Sequence, residues 1–310
     1  MSWFLPKRRD SVAITPASGV EVLPTLLANR YRLEAFIGKG AATQVREAFD
    51  MRTGTTVAVK LLELAPGMSL SQRRDWITRL QREADLARRL AHPDIVAVHE
   101  AGLAGNLAWL AMERVNGVDL GRYTQPQRLL PEALVLRVGA RVGAALAHAH
   151  ANGIVHRDLK PANVLINLET GQVKLADFGV AHLDDVSLTA TGMTLGTPAY
   201  MAPEQLAGAL ATAAGDAYAL GVMMFELLSG RRPHKAATLG ELLRATVSEA
   251  PASLARLRPD LPAPVVAAVE QLLARDPAGR PADMEDWAAR MAALAAVMSR
   301  VLAPSVLPRL

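Results

Sequence analysis

A chain of 310 residues, 51% hydrophobic and only 4% aromatic, can bury one large two-lobed unit or two small domains around aliphatic cores. Its 34 Lys and Arg against 30 Asp and Glu leave a net +4 with no long basic stripe, which argues against a nucleic-acid partner. The lack of cysteine excludes disulfides and thiolate metal sites and fits a reducing cytoplasm.

The N-terminus puts Lys7-Arg8-Arg9 after an apolar start, the reverse of a secretory signal. No stretch reaches the roughly 18 uninterrupted apolar residues of a membrane span. Residues 1–30 scatter Pro6, Pro16 and Pro24 among Ser, Thr and Val, and are read as a poorly ordered tail. From Tyr31 the pattern alternates as a half-exposed strand over 31–37. It enters the glycine turn Gly38-Lys39-Gly40 and resumes as a strand over 45–49. Such a turn lets the backbone approach phosphates without Cβ obstruction, and its strand-to-strand setting separates it from turns that open onto a helix. Thr43 stands where a third glycine would loosen the tip.

Residues 56–62 read as a buried strand with Lys60 inside it. That lysine either snorkels from a strand edge or is held by phosphates and a carboxylate. The period over 71–90 predicts a helix whose Glu83 can supply the carboxylate. His92-Pro93 stops it, strands follow at 95–100 and 106–112, and a connector from Glu113 leads into a helical second half. A long helix is predicted at 132–152, ended by Gly153. His148 and His150 near its end lack acidic or cysteine companions and are read as structural.

The next stretch, His156-Arg157-Asp158-Leu159-Lys160-Pro161-Ala162-Asn163, puts three chemistries into one loop. Asp158 can accept a proton from a hydroxyl, Lys160 can neutralise a transferring phosphoryl group, and Asn163 offers an amide oxygen suited to Mg²⁺. A strand pair at 164–167 and 173–176 would bring Asp177 beside Asn163 as a second oxygen ligand. Residues 181–196 are hydroxyl-rich and aperiodic. A nearly all-apolar buried helix is predicted at 216–228, with further helices at 239–248, 263–273 and 283–302.

These motifs, in this order and together with Gly196-Thr197-Pro198 and Ala202-Pro203-Glu204, resemble the protein kinases, and within them the eukaryotic-like Ser/Thr kinases of bacteria. The resemblance implies an α+β, two-lobed fold: a small antiparallel β-sheet lobe with one main helix, and a larger, mainly helical lobe. It covers residues 31–294, divided at 114/115, with 295–310 as a C-terminal extension. It implies an ATP-dependent protein serine/threonine kinase (EC 2.7.11.1) signalling in a bacterium; the lack of a signal, a membrane span and cysteine in the sequence adds the expectation of a cytoplasmic protein. ATP and Mg²⁺ are its cofactors, with Mn²⁺ as the alternative ion. Protein substrates with Ser/Thr acceptors are its partners, and self-association would serve autophosphorylation.

By the same resemblance, Ile37, Gly38, Gly40 and Val45 would cover the nucleotide, and Ala58, Met112, Glu113 and Val115 would bind adenine. Lys60, paired with Glu83, would hold the α- and β-phosphates. Asp158 would be the base, Lys160 would steady the γ-phosphate, and Asn163 and Asp177 would hold the metal. Arg157 would receive a phosphate on the activation segment, with Thr189 and Thr191 as the acceptors and Thr197 bridging to the catalytic loop. Glu204 and Arg280 would form a buried ion pair. Arg114 departs from the aromatic residue common in the connector. The alternative is an inactive kinase-fold scaffold or nucleotide-sensing module, disfavoured because Lys60, Asp158 and Asp177 are all present.

Overall fold

The computed structural model describes residues 25–40, 43–65, 67–178 and 198–301. The first lobe is a six-stranded antiparallel sheet in the order β1-β2-β3-β4-β6-β5. Its strands are β1 (Leu26–Leu27), β2 (Tyr31–Lys39), β3 (Thr43–Asp50), β4 (Thr55–Glu63), β5 (Val98–Ala104) and β6 (Leu107–Glu113). Alternation along β4 gives the sheet two faces. Val57, Val59 and Leu61 meet Leu27, Tyr31 and Trp109 on one of them. On the other, Leu62 and Leu110 are covered by Trp76, Leu80 and Ala84 of α1 (Leu70–Ala87), and Lys60 shares this second face. β5 crosses the indole of Trp109 at Gly102, where a Cβ would come within 2.5 Å of the ring.

Most boundaries shift by a residue or more from the sequence reading, and three of the shifts have a visible local cause. α1 begins one residue earlier because Ser69 and Gln72 form a capping box: Gln72 N–H donates to Ser69 Oγ at 3.2 Å and Ser69 N–H to Gln72 Oε1 at 2.8 Å. It ends at Ala87, not Leu90, because Leu90 N–H turns back to Ala87 O at 3.1 Å ahead of Pro93. The strand expected at 95–100 is split. β5 starts at Val98, while Ile95 leaves the sheet to bridge Leu175 in parallel.

The tail assigned to 1–30 also ends early. Leu27 is fully buried, and Arg30 Nε donates to Asp50 Oδ1 at 2.8 Å, so residues 25–30 are stitched to the sheet. Residues 1–24 and 302–310 lie outside the described residues.

The second lobe opens with β7 (Val118–Asp119) and α2 (Glu132–Ala151), then β8 (Val164–Ile166) and β9 (Val173–Leu175), which with β7 make a sheet in the order β7-β8-β9. There follow α3 (Pro203–Leu206), α4 (Ala213–Ser229), α5 (Leu239–Ser248), α6 (Leu254–Leu257), α7 (Ala263–Leu272) and α8 (Met284–Val301). α4 is buried nearly all round, as its composition predicts, and stops at Gly230 with φ 69°. Its core neighbours include Leu134, Leu146, Val269 and Trp287, whose indole Nε1 donates to Ala268 O at 3.1 Å. Among the described residues no helix is long and apolar enough to cross a membrane.

α4 and α7 approach closely at Gly221, where a Cβ would stand 2.7 Å from Leu272 Cβ and 3.2 Å from its carbonyl carbon. Gly221→Ala must therefore push the two helices apart and is expected to destabilise the protein by about 1–3 kcal/mol. Urea denaturation checks this, with a lower midpoint at an unchanged slope.

Candidate active site

α2 ends where Gly153, at φ 72°, turns the chain back toward the sheet β7-β8-β9. The loop that follows is held from outside by Asp216, a buried carboxylate in the first turn of α4. Asp216 Oδ2 accepts from His156 N–H at 2.8 Å, and Oδ1 accepts from Arg157 N–H at 2.9 Å. His150 Nε2 lies 2.7 Å from the same Oδ2. Arg157 sits in the left-handed region at φ 72°, and these bonds hold it there. Its side chain is exposed.

Past this anchor, Lys160 Nζ donates to Asp158 Oδ2 at 2.7 Å. Asn163 Nδ2 donates to Asp158 O at 2.7 Å and to Oδ2 at 3.1 Å. The two strands then deliver Asp177 alongside, since Ala176 N–H donates to Asn163 O at 2.8 Å. His156 Nε2 donates to Ala176 O at 2.9 Å, and its ring meets that of Phe178 at 4.6 Å.

From the other lobe, Lys60 Nζ reaches Asp177 Oδ2 at 3.0 Å. Burial pushes the Asp177 carboxyl up, but the Lys60 ammonium outweighs it and holds the pKa below the ordinary aspartate value. Glu83 is half-buried in α1.

Two hard oxygen donors thus stand together. Asp177 is held ionised, and Asn163 has its amide nitrogen committed to Asp158, which turns the amide oxygen to the free side. Among the described residues there is no cluster of three or more His, Asp or Glu that could hold a metal. A two-ligand site fits the habit of Mg²⁺, which keeps waters and takes phosphate oxygens for the rest of its shell.

Next to these groups lies an apolar cluster made by Ala58, Val96, Met112 and Val115, with Val45, Leu165 and Ala176 packed against it. The structure packs together Val45, Ala58, Met112 and Val115, with Leu165 and Ala176 beside them. Leu165 could have been found as the middle residue of a short strand that follows the loop. Ile37 is partly exposed in β2, and Gly38 and Gly40 end that strand. Gly40 N–H donates to Thr43 O at 2.8 Å, and a Cβ at Gly40 would lie 2.6 Å from Thr43 Oγ1.

Three contacts that the sequence did not suggest frame the connector. Arg114 Nε donates to Glu47 Oε2 at 2.9 Å, which gives the departure from an aromatic residue a structural role. Glu113 Oε2 accepts from Lys174 Nζ at 2.8 Å and from Ala97 N–H at 3.1 Å. Thr189, Thr191 and Thr197 lie outside the described residues.

A family model described as a protein kinase domain matches residues 31–291. Serine/threonine-protein kinase PknA of Mycobacterium tuberculosis is 40% identical over 260 residues, 82% of this chain and 58% of the relative. Serine/threonine-protein kinase PrkC of Bacillus subtilis is 36% identical over 265 residues, 85% of this chain and 40% of the relative. The chain thus spans less than two thirds of the length of either. The crystal structure of the Mycobacterium tuberculosis PknI kinase domain matches with a TM-score of 0.68 at 30% identity, over 88% of this chain and 100% of that one.

Beneath the site, Arg280 Nη1 and Nη2 donate to Glu204 Oε1 and Oε2 at 2.6 and 2.8 Å. The Arg280 side chain is 0% exposed. Burial pushes the Glu204 carboxyl up, but the bidentate guanidinium pulls it further down, below the ordinary 4.5. A depressed folded value means the pair stabilises above pH 4.5 and loses that contribution as pH falls through the folded value. Glu204→Gln is therefore expected to cost about 3 kcal/mol or more at neutral pH by leaving a buried guanidinium without its counter-charge. In thermal melts the gap to the unsubstituted protein should shrink as pH drops below 4.5. A gap constant with pH would refute the ion-pair account.

Proposed function

The chain belongs to the protein kinase family, and from that premise we propose that it transfers the γ-phosphate of ATP to serine and threonine hydroxyls of proteins. Members of the family use ATP and a divalent ion. The observation that carries the reading is a single line of contacts: Lys60 to Asp177, Ala176 to Asn163, Asn163 to Asp158, and Asp158 to Lys160.

In this proposal the substrate hydroxyl approaches Asp158, whose carboxylate orients it and takes its proton as the oxygen attacks the γ-phosphorus, while the bond from that phosphorus to the β–γ bridging oxygen breaks and ADP leaves. Lys160, already at the Asp158 carboxylate, offsets charge that grows on the transferring group. Lys60, supported by Glu83, orients the α- and β-phosphates. The apolar side chains around Ala58, Met112 and Leu165 would flank the adenine, whose polar edge would meet the backbones of Glu113 and Val115. Ile37, Gly38, Gly40 and Val45 cover the phosphates and exclude water. Mg²⁺ held by Asn163 and Asp177, with Mn²⁺ as the alternative, would neutralise phosphate charge when bound. Most of the catalysis is then positioning and charge neutralisation.

Arg157 supports a regulated site. Its exposed cation follows a backbone fixed by Asp216, and a phosphate on Thr189 or Thr191 would supply its counter-charge. Autophosphorylation would then require two copies to meet, and Thr197 would link the activation segment to the loop. The chain is proposed to work in the cytoplasm, with residues 31–294 as the kinase domain.

Phosphate transfer from labelled ATP to a generic protein and to the chain itself is the direct test. Asp158→Asn is expected to lower it by about 10²–10⁴-fold while nucleotide binding survives. Transfer undiminished in that variant would remove Asp158 as the base. Thr189 or Thr191 should carry phosphate in active protein by mass spectrometry, and full activity in the doubly alanine-substituted variant would exclude the switch.

A further inference from the structure

The strand that delivers Asp177 is held on both edges. β8 pairs with one side of β9. On the other side lies the segment between α1 and β5, where Val96 N–H donates to Leu175 O at 2.9 Å and Leu175 N–H donates to Asp94 O at 2.8 Å. This seam is only a few residues long, so its own ladder fixes the register weakly. Arg141 of α2 reaches both halves of it. Its Nε donates to Asp94 Oδ1 at 3.0 Å and its Nη2 to the same carboxylate, while its Nη1 donates to Gly171 O. Gly171 turns the chain, at φ 72°, just before β9. The rigid fork of a guanidinium can satisfy a carboxylate and a carbonyl at once, which an ammonium cannot do in the same plane.

What happens at the end of β9 gives the seam its importance. Asp177 is a non-glycine residue in the left-handed region, at φ 65°. Such a conformation persists only where its surroundings over-determine it. On the C-terminal side Phe178 is held against His156. On the N-terminal side the determination comes through β9. We propose that Arg141 is a positioning residue for Asp177: by gripping Asp94 and Gly171 together it keeps β9 in register and fixes where the Asp177 carboxylate stands against Lys60. The kinase reading enters only in naming what Asp177 binds.

The test uses Arg141→Met, which keeps the aliphatic stem and removes the fork, with Arg141→Lys and Asp94→Asn as companions. In nucleotide-free protein the amides of Leu175 and Ala176 should exchange with solvent at least about tenfold faster in Arg141→Met, while amides of α4 keep their rates. Arg141→Lys should fall between the two. In a thermal-shift titration with a non-hydrolysable ATP analogue, the half-saturating Mg²⁺ concentration should rise about three- to tenfold, the lower end of what loss of a supporting partner does to a metal site. Unchanged exchange at Leu175 and Ala176, or an equal rise throughout α4, would overturn the proposal and leave Arg141 as a general stabiliser. If Arg141→Met does not fold, Asp94→Asn carries the same comparison with a smaller expected change. Failure of the unsubstituted protein to bind the analogue with Mg²⁺ would count against the kinase reading, and the exchange data would still decide the role of Arg141.

Discussion

The geometry of the site depends first on one carboxylate that does no chemistry. Asp216 accepts hydrogen bonds from the backbone of His156 and of Arg157 and stands against the ring of His150. Left-handed backbone at a non-glycine residue costs on the order of 1 kcal/mol or more, and a loop in water would relax out of it. Charge-assisted bonds inside a dry helix terminus hold it in place. Asp158 then follows from Arg157, Asn163 is tied to Asp158, and Ala176 is tied to both Asn163 and His156. Remove the anchor and each later contact loses its reference point.

The cores of this chain are mostly aliphatic, with a few large aromatics among the Leu, Val and Ala, and that shapes how position is encoded. Burial of Leu, Val and Ala drives collapse but has no preferred direction. Direction comes from a few ion pairs placed where the elements must not slide. Arg30 with Asp50 ties the first turn to the sheet, Lys174 with Glu113 ties β9 to the connector, and Arg280 with Glu204 ties α3 to the turn before α8. Lys174 is 8% exposed, so its desolvation is offset by Glu113 and the carbonyl of Ile95 together.

The long elements were legible in the sequence because period and punctuation agreed. Residues 239–248 form α5 with both ends as expected, and Gly153 and Gly230 stop their helices in left-handed conformations. The chemical groups of the loop were legible because they lie within eight consecutive residues. Contacts between residues far apart in the chain were legible only where the family resemblance named them, as for Glu204 and Arg280. Asp216 looked like one more residue of a buried helix, although it organises a loop 60 residues away. Ile95 and Val96 looked like the start of a strand, since alternation cannot say which partner a strand will choose. Glu47 as the partner of Arg114 likewise exists only once the sheet of the first lobe is folded.

The parallel bridge between Ile95 and Leu175 has a mechanical consequence. The connector between Glu113 and Val118 is one covalent joint between the lobes, and a single joint would allow the small lobe to swing in any direction. The bridge is a second, non-covalent joint at a different place. Two separate attachments leave the lobes fewer ways to move against each other than the covalent connector alone would allow. The second attachment lies in the same short strand that delivers Asp177, so the tether between the lobes and the partner of Lys60 share one element.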